Sequence, residues 1–460
     1  MTPSPTTFDR ENGRHLWRLA GYSATAIPLA VMLVPATALV PIYYSDVHGL
    51  ALATIGTILL LSRIFDVATD PAVGLMSDRT TSKFGRRRIW MAAGVPVLLI
   101  GVWLLFVPPV EVTGAYLLVA SLITYLGWTL IQIPYWSWGA EIAPQYHDRS
   151  TLSGFRETAM IAGIAVASLA PLVASSFGHG IDRTTMMAMA IIITVLLPVT
   201  VLISAKSFRE IPVSNDMKSG WSDLIFVLTR NPHFARLVVA FCAIELGKGA
   251  GLAVTAYLVT YYFGQPELIG LVLLLPYILI IVSVPFWLAI SRRCGKARTI
   301  ALSLGCAAAI LAIGVPLLSR EDGYVFLALE CLVGLAAGGF AILPTALVAD
   351  TADYFADAEG REPLVATHFS AWSLSRKFMQ AIAIGIALPL LAFAGFDPSI
   401  DPNANVAATK WMFILLSVPF YVAGIWLMWG YKFSAADHRD VRARLQVRDA
   451  ENQSSNGIVS

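Results

Sequence analysis

Three ionisable side chains, Arg63, Asp66 and Asp70, stand at i, i+3 and i+7 within one apolar stretch. On a helix that spacing puts them on one face. The run around them, roughly 50–76, is long enough to cross a bilayer as a helix. Two carboxylates one turn apart cannot both stay ionised in an apolar site unless a cation joins them. Na+ or H+ would supply that charge, since hard cations prefer oxygen ligands. The competing reading is an Arg63–Asp66 salt bridge that only fixes packing. Two acids against one arginine leave a net negative site where charge is costly, and this favours a cation site built on Asp66 and Asp70. A few turns on, Gly74, Asp78, Arg79 and the run Arg86, Arg87, Arg88 cannot sit in hydrocarbon and must lie at a membrane surface.

Further candidates follow the same logic. Tyr125, Trp128, Thr129, Gln132 and Trp136 step along one side of a second run. Aromatic rings with polar handles suit sugar faces or other amphiphiles. Helix packing or an interfacial aromatic belt would use the same residues, the belt above all for Trp138 near the run's end. Lys377, with Arg376 beside it, lies halfway along a late run and needs an anion, either a protein carboxylate or an anionic ligand. Glu245 and Lys248 stand at i, i+3, a mutually neutralising pair by default. The GKGAG that follows Leu246 suits close helix packing. Asp78, Arg79, Arg86, Glu141, Arg149, Asp350, Asp353 and Arg361 sit near run ends, as topology signals or as a latch that forms and breaks between conformations.

The elements that must position these residues are legible in composition. The chain has 460 residues, of which 57% are hydrophobic and 13% charged, against about 25% charged in soluble proteins. This describes a polytopic membrane protein. Twelve apolar runs of spanning length occur, at about 16–44, 50–76, 89–108, 115–138, 155–177, 184–205, 234–263, 268–290, 298–318, 324–349, 366–394 and 408–431. They are continuous rather than alternating, so they predict helices. Lys and Arg concentrate in alternate loops, which predicts both termini and the loop after the sixth helix on the cytoplasmic side. The domain plan is a cytoplasmic N-terminus (1–15), a six-helix half (16–205), a cytoplasmic linker (206–233), a second six-helix half (234–431) and a cytoplasmic tail (432–460). WSDLIFVLTR in the linker reads as an amphipathic interfacial segment or as plain linker. The charged, then Asn- and Ser-rich tail is expected to be disordered. No cleaved signal peptide is expected, and the four cysteines lack metal-ligand spacing. The halves echo each other: GLMSDRTTSKFGRRR and AISRRCGKARTIALS occupy matching loops, as do Glu141 and the pair Asp350, Asp353. Such repetition marks secondary transporters, with the substrate site between repeats near the midplane.

G-x-x-x-D-R followed by G-R-R-R resembles the signature loop of the major facilitator superfamily. RIFDVATDP at 63–71 and QIPYWSWGAEIAP at 132–144 resemble the glycoside–pentoside–hexuronide:cation symporters. The resemblance implies an all-α fold of twelve transmembrane helices in two six-helix halves. It implies that Asp66 and Asp70 bind the coupling cation with help from Thr129. It also implies that Trp128, Trp136, Arg156 and Lys377 border the substrate, and it favours the latch reading of the loop charges; Gln132 joins that lining on its own account, since an amide at mid-depth wants a partner. The chain departs from the family pattern where sugar hydroxyls are held: the first helix has no acid, and Gln132 replaces an acid on the fourth. With Arg156 and Lys377 retained, the expected substrate carries a carboxylate or phosphate. The expected function is cation-coupled symport of a sugar or glycoside-like solute, with an anionic hexuronide among the candidates, by alternating access. A lysolipid carrier or flippase on the same fold is the alternative. A membrane-embedded enzyme would need a nucleophile or metal set that the loops do not show, so no enzymatic activity is expected. No cofactor beyond the coupling ion is expected. The expected partners are a small solute and membrane lipid, with no nucleic acid, and the expected form is a monomer in the cell's inner membrane.

Overall fold

The computed structural model describes residues 13–142, 146–176, 180–208, 210, 221–360 and 364–457. Among them, twelve helices are long and apolar enough to cross a membrane. They are α1 (Leu16–Asp46), α2 (Leu52–Arg79), α3 (Arg86–Phe106), α4 (Gly114–Gly139), α5 (Gly154–Ala174), α6 (Arg183–Ser207), α7 (Pro232–Tyr262), α8 (Pro266–Cys294), α9 (Lys296–Leu317), α10 (Gly323–Ala358), α11 (Thr367–Phe393) and α12 (Ala407–Trp429). The only β contact among the described residues is an isolated bridge between Asp397 and Asp401. The all-α plan follows from the solvent: in lipid each backbone N–H and C=O must be satisfied within its own segment. The linker segment WSDLIFVLTR is a short helix, Trp221–Arg230.

α1 and α9 each contain a five-residue π turn, Pro35–Leu39 and Ile310–Gly314. Pro41 and Pro316 follow closely. A proline has no N–H to give and crowds the carbonyl four residues back, so the helix widens there. α7 widens likewise at Leu258–Tyr262.

The chain forms two compact units that cut across its two sequence halves. The first comprises residues 1–214, 252–274 and 384–409. In it α1 packs on α5 and α6, α2 on α4, and α3 closely on α4. Gly101 lies against the backbone of Thr124, and Gly127 against that of Leu98, so any side chain at either would force α3 and α4 apart. This close approach stiffens the helix that carries Thr129 and Gln132. The ends of α7 and α11 also belong to this unit. Asp397 accepts from the Leu52 N–H at 3.0 Å and so satisfies a donor at the start of α2. Ser45 Oγ and Tyr257 Oη share a hydrogen bond of 3.3 Å.

The second unit comprises residues 215–251, 275–383 and 410–460. Its tail departs from the expected disorder, for Ala435–Gly457 is helical. Ser434 and Asp437 cap its start reciprocally. The Ser434 backbone N–H holds the Asp437 carboxyl below its usual range, and the Ser434 hydroxyl adds to this. One stripe of the helix, Val441 and Leu445, is buried with Phe433 against Ala356 of α10. Beside it His438 Nε2 lies 3.0 Å from Asp353, Arg442 Nε lies 3.3 Å from Asp353, and Arg444 donates to Asp357 at 2.7 and 2.8 Å. Composition suggested a solvated tail because its apolar residues are few. They are nevertheless spaced i, i+4, and the bases meet three carboxylates on α10. Val441→Asp should place a charge in this small apolar cluster at a cost of several kcal/mol. The expected outcome is cleavage by trypsin at Arg442, Arg444 and Arg448 at least about tenfold faster than in wild type, with the spanning helices left intact by circular dichroism.

Candidate cation and substrate site

Asp66, Asp70 and Arg63 share one buried face of α2, with Asp66 1%, Arg63 7% and Asp70 8% exposed. Facing them on α4 is Thr129, fully buried. Its hydroxyl donates to Asp66 Oδ1 at 2.6 Å and lies 3.2 Å from Asp70 Oδ1. A hydroxyl has one proton, so it neutralises neither carboxylate and joins two that repel. Arg63 stands closest to Asp66, yet its Nη1 is 3.6 Å from Asp66 Oδ2, beyond hydrogen-bonding range. The guanidinium lies over the Tyr125 ring instead, 4.4 Å from its centroid. Asp66 Oδ2 is buried without a hydrogen-bond partner. A salt bridge serving packing alone would be closed and bidentate. This one is open, and it leaves a carboxylate oxygen with a free lone pair beside a second carboxylate and a hydroxyl. Among the described residues no group of three or more His, Cys, Asp or Glu is arranged to hold a metal ion. The donor set therefore suits a monovalent ion or a proton better than a zinc-type metal.

The α4 face continues from this point. Trp128 and Gln132 are 5% and 7% exposed. The Gln132 side-chain oxygen has no hydrogen-bond partner, an unspent acceptor that burial makes costly. Two turns further along, the Arg156 guanidinium from α5 lies 5.5 Å from the centroid of the Trp136 ring. Trp138 belongs to no interfacial belt: it is fully buried, against Tyr22 edge-on and under the Arg88 guanidinium at 5.2 Å.

Comparison with known proteins now bears on this geometry. A family model described as MFS/sugar transport protein matches residues 21–435. The chain belongs to this family. A glucuronide carrier protein homolog of Escherichia coli strain K12 is 24% identical over 450 residues, covering 95% of this chain and 97% of that protein. A sodium-dependent lysophosphatidylcholine symporter 1-A of Danio rerio is 22% identical over 471 residues, covering 93% and 87%. The crystal structure of the nucleoside transporter NupG superposes with a TM-score of 0.60 over 90% of this chain and all of that one, at 16% identity. This last likeness shows a shared fold. The protein is thus a multi-pass transporter of the major facilitator type, and the symporter resemblance read from RIFDVATDP holds.

At one end of the transporter's first unit the loop charges form a closed network. Arg86 and Arg87 both donate to Glu141 Oε1, at 2.7 and 2.8 Å, and Arg87 also pairs with Asp78. Arg79 is exposed. Glu210, in the stretch read only as linker, accepts from the backbone N–H groups of Arg87 and Arg88 at 3.1 and 2.8 Å. It caps α3, where three arginines crowd a helix start that itself favours an anion. No spacing rule links residue 210 to residue 87, although that crowded start signals that some acid must come. In the second unit Asp350 pairs with Lys296 at 2.6 Å, and Asp350 and Asp353 with His438 of the tail. Lys377 is half-buried on α11. The side chain of Arg149, and Arg361 altogether, lie outside the described residues.

Two outcomes follow from these contacts. Arg87 is 5% exposed, so Glu141→Ala leaves that buried charge only the half-exposed Asp78 and should cost about 3 kcal/mol. Asp78→Asn, at a half-exposed partner, should cost less than about 1 kcal/mol; thermal unfolding in detergent ranks the two. Thr129→Val removes a hydrogen bond to a charged group, worth about 1.5 kcal/mol or more. If Thr129 helps hold the ion, the midpoint of Na+- or pH-dependent thermal stabilisation should shift by roughly tenfold in ion concentration.

Proposed function

We propose that the protein is a cation-coupled symporter of a glycoside-type solute bearing a negative charge, such as a hexuronide. Asp66, Asp70 and Thr129 take the ion. Trp128, Gln132, Trp136, Arg156 and Lys377 border the solute. The reading has both termini and the linker on the cytoplasmic side of the cell's inner membrane, and the protein working as a monomer with no cofactor besides its ion. Asp78, Arg86 and Glu141 brace the first half, and Asp350 and Asp353 the second, as access alternates, and Arg79, Arg149 and Arg361 complete the basic edge.

The observation that carries this reading is the buried Asp66 oxygen left without a hydrogen-bond partner beside Thr129 and Asp70. Two carboxylates one helical turn apart repel each other at membrane depth, and Arg63 engages Asp66 only loosely. A cation there relieves the repulsion and lets α2 and α4 draw together. Because coupling is reciprocal, a solute that favours the drawn-together state raises the ion's affinity by the factor the ion raises its own. The E. coli glucuronide carrier homolog supports the solute class, and the word sodium in the zebrafish relative's name supports ion coupling.

The test is uptake into proteoliposomes under an imposed Na+ or proton gradient. Wild type should accumulate a glucuronide above its equilibrium level under one of the two gradients. Asp66→Asn and Asp70→Asn should each abolish accumulation, by at least about tenfold, while solute exchange at equal concentrations persists. Accumulation at the wild-type level in both variants refutes the reading. Exchange of lysophosphatidylcholine between leaflets in place of glycoside uptake would move the assignment to a lipid carrier.

A further inference from the structure

Two ladders of side chains face each other across α2 and α4. On α2, Arg63, Asp66 and Asp70 follow one another along a buried face. On α4, Tyr125 and Thr129 stand one turn apart, 2% and 0% exposed. Thr129 meets the carboxylates, with its hydroxyl 2.6 Å from Asp66 Oδ1 and 3.2 Å from Asp70 Oδ1. Tyr125 meets the arginine, whose guanidinium lies 4.4 Å from the ring centroid. α4 thus gives one rung to the base and the next to the acids.

Arg63 has a closer claimant that it leaves unsatisfied. Arg63 and Asp66 are i, i+3 on one helix, so their side chains can close without any movement of the backbone. The gap from Nη1 to Asp66 Oδ2 is 3.6 Å, and shortening it by roughly 1 Å would make a charge-assisted hydrogen bond. Arg63 Nε and Asp66 Oδ2 are both buried without a hydrogen-bond partner. A donor and an acceptor of opposite charge, both unused where burial makes that costly, need a reason to stay apart. The Tyr125 ring supplies it, because a guanidinium over an aromatic face gains most when both are out of water. The ring also has a firm seat. Gly101 of α3 lies against the backbone of Thr124, the residue before Tyr125, and Gly127 lies against Leu98. α3 therefore braces the turn of α4 that carries the ring.

We propose, resting on the transport reading above, that Tyr125 is a positioning residue that sets the ion affinity by holding Arg63 off Asp66. With the guanidinium on the ring, Asp66 Oδ2 stays open to an incoming Na+ or proton. With the guanidinium on Asp66, the same oxygen is occupied and the ion must displace a tethered base. A ring and a carboxylate thus compete for one cationic group, and the ion binds where the ring wins. Tyr125 acts through Arg63 and need not touch the ion. Its hydroxyl lies in the fields of Arg63 and Asp66, so phenylalanine at this position separates the work of the ring from that of the hydroxyl.

The readout is the midpoint of ion-dependent thermal stabilisation of the full chain in detergent, titrated with Na+ at fixed pH and with pH at fixed Na+. Tyr125→Leu frees Arg63 to close on Asp66 and should weaken ion binding by about tenfold, the worth of one hydrogen bond to a charged group. The Na+ midpoint then rises by that factor, or the pH midpoint falls by about one unit. Tyr125→Phe keeps the ring and should stay within about threefold of wild type. Arg63→Met removes the competing base and should bind the ion at least as tightly as wild type. In that background Tyr125→Leu should move the midpoint by less than about twofold, because both residues act through one contact. A Tyr125→Leu protein that melts earlier without ion yet keeps the wild-type midpoint overturns the inference, since the ring then only fills space. So does a Tyr125→Phe shift as large as that of Tyr125→Leu, or a Tyr125→Leu shift that persists in full without Arg63. Arg63→Met carries the test if Tyr125→Leu does not fold: ion binding weaker than wild type would mean that Arg63 assists the ion, and the inference falls. In each of these cases a wild-type response that Asp66→Asn abolishes leaves the transport reading standing. Wild-type protein that gains no stability from either ion would instead overturn the cation site itself, and this inference with it.

Discussion

Charge away from water has to be answered by something, and the interior of this transporter is arranged around how each answer is made. Arg63 answers with the face of Tyr125. Glu245 answers with Gln380 and Lys248. Asp66 is answered only in part, by the Thr129 hydroxyl and an arginine held 3.6 Å away. A fully closed Arg63–Asp66 bridge would make α2 an inert packing surface. The incomplete answer leaves an energetic opening for a small cation, and in the proposed mechanism that opening is what couples ion to solute.

The same accounting runs at the ends of the spanning helices, and only the segment that follows each sixth helix differs in the sign it supplies. The start of α3 and the end of α4 meet through Arg86, Arg87 and Glu141. Their counterparts, the start of α9 and the end of α10, meet through Lys296 and Asp350. The segment after α6 then supplies an acid, Glu210, to the basic start of α3. The segment after α12 supplies bases, His438 and Arg442, to the acidic end of α10. Each half thus secures its third and fourth helices with the chain that leaves its sixth.

Rigidity and reach come from different residues. Glycines at 101 and 127 bring α3 against α4 and hold the helix that presents Thr129. Glycines at 247 and 249 bring α12 and α11 against α7 and present Glu245 to Gln380. Prolines open π turns in α1 and α9. Small residues therefore fix where the polar groups meet, while the polar groups themselves specify what they meet.

The linear chain determined what depends on near neighbours and on the solvent. Twelve spans follow because lipid leaves a backbone no partner outside its own helix, and about twenty apolar residues are needed to cross. The shared face of Arg63, Asp66 and Asp70 follows because helical spacing is local, and the family motif placed Thr129 opposite. Folding in three dimensions decided whom each charge met. Arg63 turned to Tyr125, Glu210 crossed more than a hundred residues to cap α3, Trp138 went inside, and a tail that reads as solvated found three acids on α10. Those pairings join residues with no periodic relation along the chain, so only the packing of one helix on another could select them.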